Sequence, residues 1–306
     1  MKKYINIIRK SFLWRKISEI FDLISEAWEE FNLDHAYIYG ASLAYYTIIS
    51  LPAALNLMFS GLSLFFDENQ LKEDMIEELE MIAGDVVARH LESMINSLTA
   101  LKIDNTISTL ISIGTLIFTS TLSFHTLKIA LNKFWKVPQS HAKIKELVMD
   151  RLIAFCMVLG LGMIFLILIA IDTLISFASS YLKEWLPLAA IQLISIIRFL
   201  STMIMSFTLF SGIFKFIPDV NIKLKDAFVG GLVTTILFQL GQYGIRYYLA
   251  HMVTASTWGA GSPIIIVMAW TFYSVQVMFY GAEFTYAYAH KYGHGIRQQK
   301  EIKNNV

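Results

Sequence analysis

The sequence predicts an all-α integral membrane protein: a six-transmembrane-helix bundle with an N-terminal amphipathic helix and an extracytoplasmic helical hairpin. Three observations predict it. Of 306 residues, 56% are hydrophobic and only 16% are charged, against roughly 45–50% and about 25% in soluble globular chains. The mean hydropathy is accordingly high, at +0.55. Residues 263–288, PIIIVMAWTFYSVQVMFYGAEFTYAY, carry one formal charge, Glu283, over about the length of one helical bilayer crossing. Backbone groups in hydrocarbon must be paired within their own segment, so this stretch has to be helix. Finally, five comparable apolar stretches precede it, separated by polar links. The division expected is a cytoplasmic helix over 1–35, a transmembrane domain over 36–290 with an outer cap at 67–105, and a cytoplasmic tail over 291–306.

In residues 1–32, Lys2, Lys3, Arg9, Lys10, Arg15 and Lys16 break up any signal-peptide apolar core. Ile5, Ile8, Phe12, Ile17, Ile20, Phe21, Ile24, Trp28 and Phe31 recur near helical spacing. They predict an amphipathic helix, either lying on the membrane surface or packed on the bundle's own cytoplasmic end. Crossing 1 spans 36–66 and holds Tyr45, Tyr46, Asn56 and Pro52. Pro52 lacks a backbone donor and is the expected helix break, either a packing kink or part of a binding site. The insertion 67–105 alternates an apolar face (Leu71, Met75, Leu79, Ile82, Val86) with an acidic one (Glu73, Asp74, Glu77, Glu78, Glu80), and Gly84-Asp85 divides it into the hairpin.

Crossing 2 covers 106–127, is rich in Ser and Thr, and is followed by Lys128, Asn132 and Trp135. Crossing 3 covers 152–179, with Gly160 and Gly162 for close packing and Asp172 near its far end. Crossing 4 covers 188–214 and is interrupted by Arg198. Pro218-Asp219 reads as a turn, and Asp226 as the N-cap of crossing 5 over 227–249. That helix contains Gly230, Gly231, Gln239, Gln242 and Arg246. Crossing 6 is the 263–288 stretch.

An even number of crossings puts both termini on one side. The opposite side carries only Lys72, Arg89, Lys102 and Lys183, while the remaining loop and tail Lys and Arg residues lie with the termini. Positive charge marks the cytoplasmic face, so both termini are expected there, with the acidic cap outside.

The costly residues are the polar ones inside. Asp172 can pair with Arg246 or Arg198 and lock helices together. Alternatively, Arg198 and Arg246, with Tyr45, Tyr46, Asn56, Gln239 and Gln242, line a path for a substrate with an anionic group. Glu283 near the end of crossing 6 has no cation on its own helix within one turn. It is either a proton-coupled carboxylate or capped by inner-side lysines or helix N-termini. Gly281-Ala282 beside it would let a neighbouring backbone come close.

Other classes find little here. A net charge of +1 gives no basic excess for nucleic acid. Cys156 is the only cysteine, so no intramolecular disulfide exists. The seven histidines form no HExxH, no serine lies in GxSxG, and His290 with His294 has no third ligand nearby. No enzyme activity, catalytic residue, metal or cofactor is therefore expected.

Five segments together resemble one family. GASLAYYTIISLP in crossing 1, LNKFW after crossing 2, FKFIPDVNIKLKDAFVGG, WGAGS and YGAEFT stand in the order and places found in the YihY/virulence factor BrkB family, once labelled ribonuclease BN. The similarity covers about 30–290 and is densest from 215 to 288. One departure is visible: many members have Phe-Pro after the Leu-Ser of crossing 1, where this chain has Leu51-Pro52. The resemblance implies a bacterial inner-membrane protein of six crossings and supplies no catalytic set. Some members are associated with resistance to host killing or with envelope lipid transport. The expectation is an inner-membrane transporter or lipid flippase, with membrane lipids as partners and an amphiphilic or small anionic substrate. The alternative is a non-transporting envelope scaffold or assembly factor; a membrane-associated hydrolase or ribonuclease ranks behind both.

Overall fold

The computed structural model describes residues 2–62, 105–137, 188–252, 262–293 and 297–298, with single helical positions at 73, 76, 77, 80, 88, 89 and 92. The helices are α1 (Lys2–Leu33), α2 (Ala36–Leu62), α3 (Asn105–Phe134), α4 (Leu188–Phe216), α5 (Leu224–Met252) and α6 (Ser262–Lys291). Two residues at Val220–Asn221 (β1) pair antiparallel with Arg297–Gln298 (β2). Among the described residues, five helices, α2 to α6, are long and apolar enough to cross a bilayer. The predicted third crossing, 152–179, with Cys156, Gly160, Gly162 and Asp172, lies outside the described residues. So does nearly all of the 67–105 cap.

The chain is an all-α integral membrane protein organised around α6. That helix packs against α1, α2, α3 and α5, while α2 pairs with α3 and α4 with α5. Long apolar side chains such as Leu110, Ile111, Phe118, Ile204, Leu240 and Tyr247 stand exposed on the helices. Among the described residues they find no cover, and apolar side chains so placed suit a lipid solvent, since the bilayer is as apolar as leucine.

The densest core sits where α2 begins and α6 finishes, a region called the base below. Phe31, Leu131, Phe134, Trp135, Phe214, Ile217, Phe279 and Ala282 are all buried there. Phe134 meets Phe279 edge-on at 5.1 Å. This core explains why α3 runs to Phe134, beyond the end expected near 127. Its last turns are not membrane-exposed but buried, with Ala130 and Leu131 at 0% exposure. Burial therefore keeps helical a stretch that Lys128 and Asn132 made look like a loop.

Two further expectations change. Helix α5 starts at Leu224 and holds Asp226 in its first turn, so Asp226 is not the N-cap. It still lies where the helix dipole favours an acid. Helix α2 passes through Pro52 without ending, so the residue does not break the helix. A proline deletes one ladder hydrogen bond, and a long membrane helix tolerates that when neighbouring groups satisfy the freed carbonyl.

Helix α1 packs its second half on the bundle. Leu23 and Ala27 are buried with Phe284 and Ala287, and Tyr280 donates its hydroxyl to the Ile24 carbonyl at 3.0 Å. The contacting residues Leu23, Ala27 and Phe31 follow an i, i+4, i+8 line. Much of the apolar stripe picked from sequence, Ile20, Phe21, Ile24 and Trp28, instead stays exposed. The helix thus has two apolar faces: one docks on α6, and one is uncovered among the described residues.

Helices α5 and α6 approach through reciprocal glycines. A Cβ on Gly230 would overlap Thr285 Oγ1, and a Cβ on Gly281 would overlap Thr234 Oγ1. Thr234 and Thr285 each donate to the carbonyl of the glycine four residues earlier in their own helix, at 2.7 and 2.6 Å. The hydroxyls are satisfied internally while their bodies fill the neighbour's glycine notch. This small-residue packing is what helix association in lipid selects.

Candidate functional site

The site is best built from the loop between α1 and α2. Asp34 and His35 link these helices, and His35 has a left-handed φ of 55°. Lys136, just past α3, has a left-handed φ of 53°. Neither is glycine, so each conformation costs energy that its surroundings must offset. The surroundings are ionic. Lys136 Nζ donates to Glu30 at 2.7 Å and to Asp34 at 2.9 Å. Lys133 Nζ donates to the Asp34 backbone carbonyl at 2.6 Å and stands 5.5 Å over the Tyr39 ring. Both lysines therefore sit at the C-terminal end of α1, where its free carbonyls and dipole favour cations. Burial alone would lower the Lys136 pKa; hydrogen bonds to Glu30 and Asp34, with their charges, outweigh it and hold the ammonium above the ordinary lysine range.

Next to this latch lies Glu283. The Trp135 indole donates to the carbonyl of Ala282 at 3.0 Å, which fixes the turn of α6 that carries the carboxylate. Glu283 is 1% exposed, and neither of its carboxyl oxygens has a hydrogen-bond partner among the described residues. The inner-side lysines that sequence reasoning offered as its cap are bonded instead to Asp34 and Glu30. Lys133 and Lys136 therefore do not cap it: α1 and the α1–α2 link hold both.

Other buried polar atoms also lack partners among the described residues: Gln276 Nε2 and Oε1, Trp270 Nε1, Thr271 Oγ1, Gln239 Nε2 and Ser211 Oγ. Most belong to α6. Gln276 lies seven residues before Glu283, two helical turns away on the same face, and its amide fills the notch left by Gly40 of α2. Each such atom costs about 1–3 kcal/mol while unpaired.

Of the residues expected to line a path, the described side chains make separate contacts. Asn56 donates to Ser108 and Ser112 at 3.0 and 2.9 Å, which clasps α2 to α3. Tyr45 is 56% exposed, its ring 5.9 Å from that of Tyr46. Gln242 is buried, and Gln239 half-buried on the same helix. Arg198 lies in α4 and Arg246 in α5, and their side chains are outside the described residues, as is the whole of Asp172. Ser211 faces Gly231; carrying that antiparallel register along α4 and α5 puts Arg198 within about one turn of Arg246 in height. Gln276, Asp34, Lys133 and Lys136 were not singled out from sequence. The heptad spacing of Gln276 and Glu283 could have found the first. Nothing local marks the other three, because their partners come from 100 residues away.

Among the described residues, no three His, Cys, Asp or Glu side chains converge as a metal would need. What the base can do is narrower: bind or release protons and exchange ion-pair partners.

Helices of bilayer length, a packed centre and polar groups within the apolar segments define a multi-pass helical membrane protein. The profile of the virulence factor BrkB family matches residues 27–305, and the chain belongs to that family. It is similar to a UPF0761 membrane protein of Psychromonas ingrahamii, 25% identical over 276 residues, covering 88% of each chain. A UPF0761 membrane protein of Cronobacter sakazakii is 24% identical, over 84% of this chain and 85% of its own. One from Halorhodospira halophila is 26% identical over 80% of this chain, which spans only 52% of that longer relative. No solved structure matches the chain.

Proposed function

We propose that the protein is a transporter or lipid flippase of the bacterial inner membrane, moving an amphiphilic or anionic substrate, with both termini in the cytoplasm. The observation that carries this reading is the run of buried polar atoms on α6 that have no partner among the described residues, from Trp270 through Gln276 to Glu283. A bundle that only holds itself together gains nothing from such groups, since replacing them by apolar side chains of similar volume is neutral or stabilising. A bundle that passes a polar group through hydrocarbon needs donors and acceptors free to receive it. The distribution of Lys and Arg supports the orientation.

A second reading has its own observation. The reciprocal Gly–Thr contact of α5 and α6 is rigid packing, which suits a scaffold or assembly factor that moves nothing.

The test is reconstitution into vesicles containing a fluorescent anionic phospholipid, with a membrane-impermeant quencher added outside. Transport predicts loss of signal beyond the outer-leaflet share. Gln276→Leu and Arg198→Leu should slow it on the order of tenfold, the effect of about 1.4 kcal/mol on a barrier. If folded protein moves neither this lipid nor a small organic anion, the transporter reading fails. A fluorescent reporter fused after Val306 checks the orientation: it should glow only if that end is cytoplasmic.

A further inference from the structure

We infer that Glu283 is a proton-binding site, and that release of its proton opens the ionic latch formed by Asp34, Lys133 and Lys136. This holds for a carrier and for a scaffold alike, so it does not rest on the function proposed above.

The charge balance of the base comes first. The described charged groups that act on Glu283 are Asp34 and Glu30 from the α1 end, and Lys136 and Lys133 from the α3 end. Tyr286, one turn on along α6, is the remaining titratable neighbour. From α5 the residues facing this part of α6 are the uncharged Gly230 and Thr234, and from α2 the contact at Gly40 is with Gln276. The two acids and two lysines of the latch neutralise one another. An ionised Glu283 would add one negative charge at a position 1% exposed, with no donor on either oxygen among the described residues. Such a charge is not sustained in an apolar site; the group takes a proton instead. The neutral acid suits this conformation.

Register gives the second support. Gly40 lies against Gln276, and α2 and α6 run in opposite directions. Seven residues further along α6 is Glu283; the same distance back along α2 leads into the Leu33–Asp34 link. The carboxyl is therefore level with the latch, one residue from the Ala282 carbonyl that holds Trp135.

The third support is stored strain. His35 and Lys136 hold left-handed backbones, and the Lys136 and Lys133 bonds to Glu30 and Asp34 keep the two segments in place. Loss of those bonds lets both residues relax. Strained positions of this kind gather at switching elements.

The step is one proton. The Glu283 carboxyl gives it to water at the base and becomes a carboxylate; no covalent bond other than O–H changes. The new anion competes with Asp34 and Glu30 for the ammonium groups of Lys133 and Lys136. Lys136 is partly exposed, at 44% of its side chain, and is free to swing. The link between α1 and α2 then loses its hold on α3.

The experiment uses the full chain in lipid nanodiscs. Infrared difference spectra across a pH titration should show a protonated-carboxyl C=O band that vanishes on alkalinisation. The band should be absent in Glu283→Gln and shifted in Glu283→Asp. In parallel, amide hydrogen exchange of 33–38 and 133–137, corrected for intrinsic pH dependence, should quicken in the wild type as the band disappears. An effect on the order of tenfold is expected, the factor carried by one pK unit of differential proton binding. Glu283→Gln should stay protected over that range. Lys136 deprotonates only above the ordinary lysine range, and that later loosening remains in the variant. If no carboxyl band responds to either substitution, Glu283 is not a proton site. If the band titrates while exchange of both segments stays flat, the latch does not follow the proton. Each result overturns its half of the proposal. Should Glu283→Gln fail to fold, the Glu283→Asp band shift and the wild-type exchange profile still decide it.

Discussion

The α5–α6 contact and the base of α6 solve the same problem in opposite ways. Where α5 meets α6 at the glycine notches, each α5 threonine hydroxyl is used up by a carbonyl of its own helix. At the base, four charged side chains, two left-handed residues and one unpartnered carboxyl share a small volume. Satisfied small-residue packing has one arrangement of low energy. A charge cluster with one partner missing has a second arrangement within reach, because ammonium groups can change partners at modest cost. The contrast teaches that α6 meets α5 through satisfied small-residue packing and meets the α1, α2 and α3 ends through charge pairs, so a switch, as proposed, belongs on the second side.

Substitutions can break that comparison. The largest effect is expected at the aromatic plate under the latch. Phe134→Ala removes a side chain with 0% exposure that meets Phe279, and should cost about 3–5 kcal/mol of stability, read by thermal unfolding in detergent. If it costs less than loss of the latch, charge rather than burial holds the base. At the rigid contact, Gly281→Val should cost about 1–3 kcal/mol or more from overpacking against Thr234. Combining it with Thr234→Gly should return part of the loss; no recovery would mean the two sites do not touch.

Asp34→Asn removes the carboxylate that Lys136 bonds, while Lys133 keeps the Asp34 backbone carbonyl, and should cost about 1.5–3 kcal/mol, the range for hydrogen bonds to charged groups. Glu283→Met carries the opposite sign. It removes an unpartnered buried carboxyl and should stabilise by about 1 kcal/mol while abolishing any response to pH at the base. A lower unfolding temperature in this variant would show that Glu283 has a partner after all.

The smallest effect is the alkaline limb. The pKa of Lys136 is raised in the folded state, so its contribution is complete below the unfolded lysine value. That contribution disappears as pH rises through the folded one. Unfolding temperature should therefore fall at strongly alkaline pH more in the wild type than in Lys136→Met. Equal slopes would remove Lys136 from the cluster's energetics.

The family resemblance and the helical crossings were legible because both live in local composition and order. Apolar runs of bilayer length admit only helix, and five of them appear as such. The candidate site was half legible. Glu283 stood out as a lone charge in an apolar run, but that Lys133 and Lys136 bond Asp34 and Glu30 instead was not visible. Asn56 looked like a path residue and is bonded to Ser108 and Ser112. On α1 the periodic stripe was real, yet Leu23 and Ala27 beside it make the contact.

The sequence by itself determined that the chain enters the membrane, where its helices run and which side chains are costly inside, because hydrocarbon imposes those conditions on each segment separately. Only the tertiary structure decided who meets whom. Lys136 reaches Glu30 and Asp34, and Gly230 receives Thr285, through rotations and registers of helices far apart in the chain. Periodicity alone leaves those rotations open. They are set by the packing of all neighbours at once.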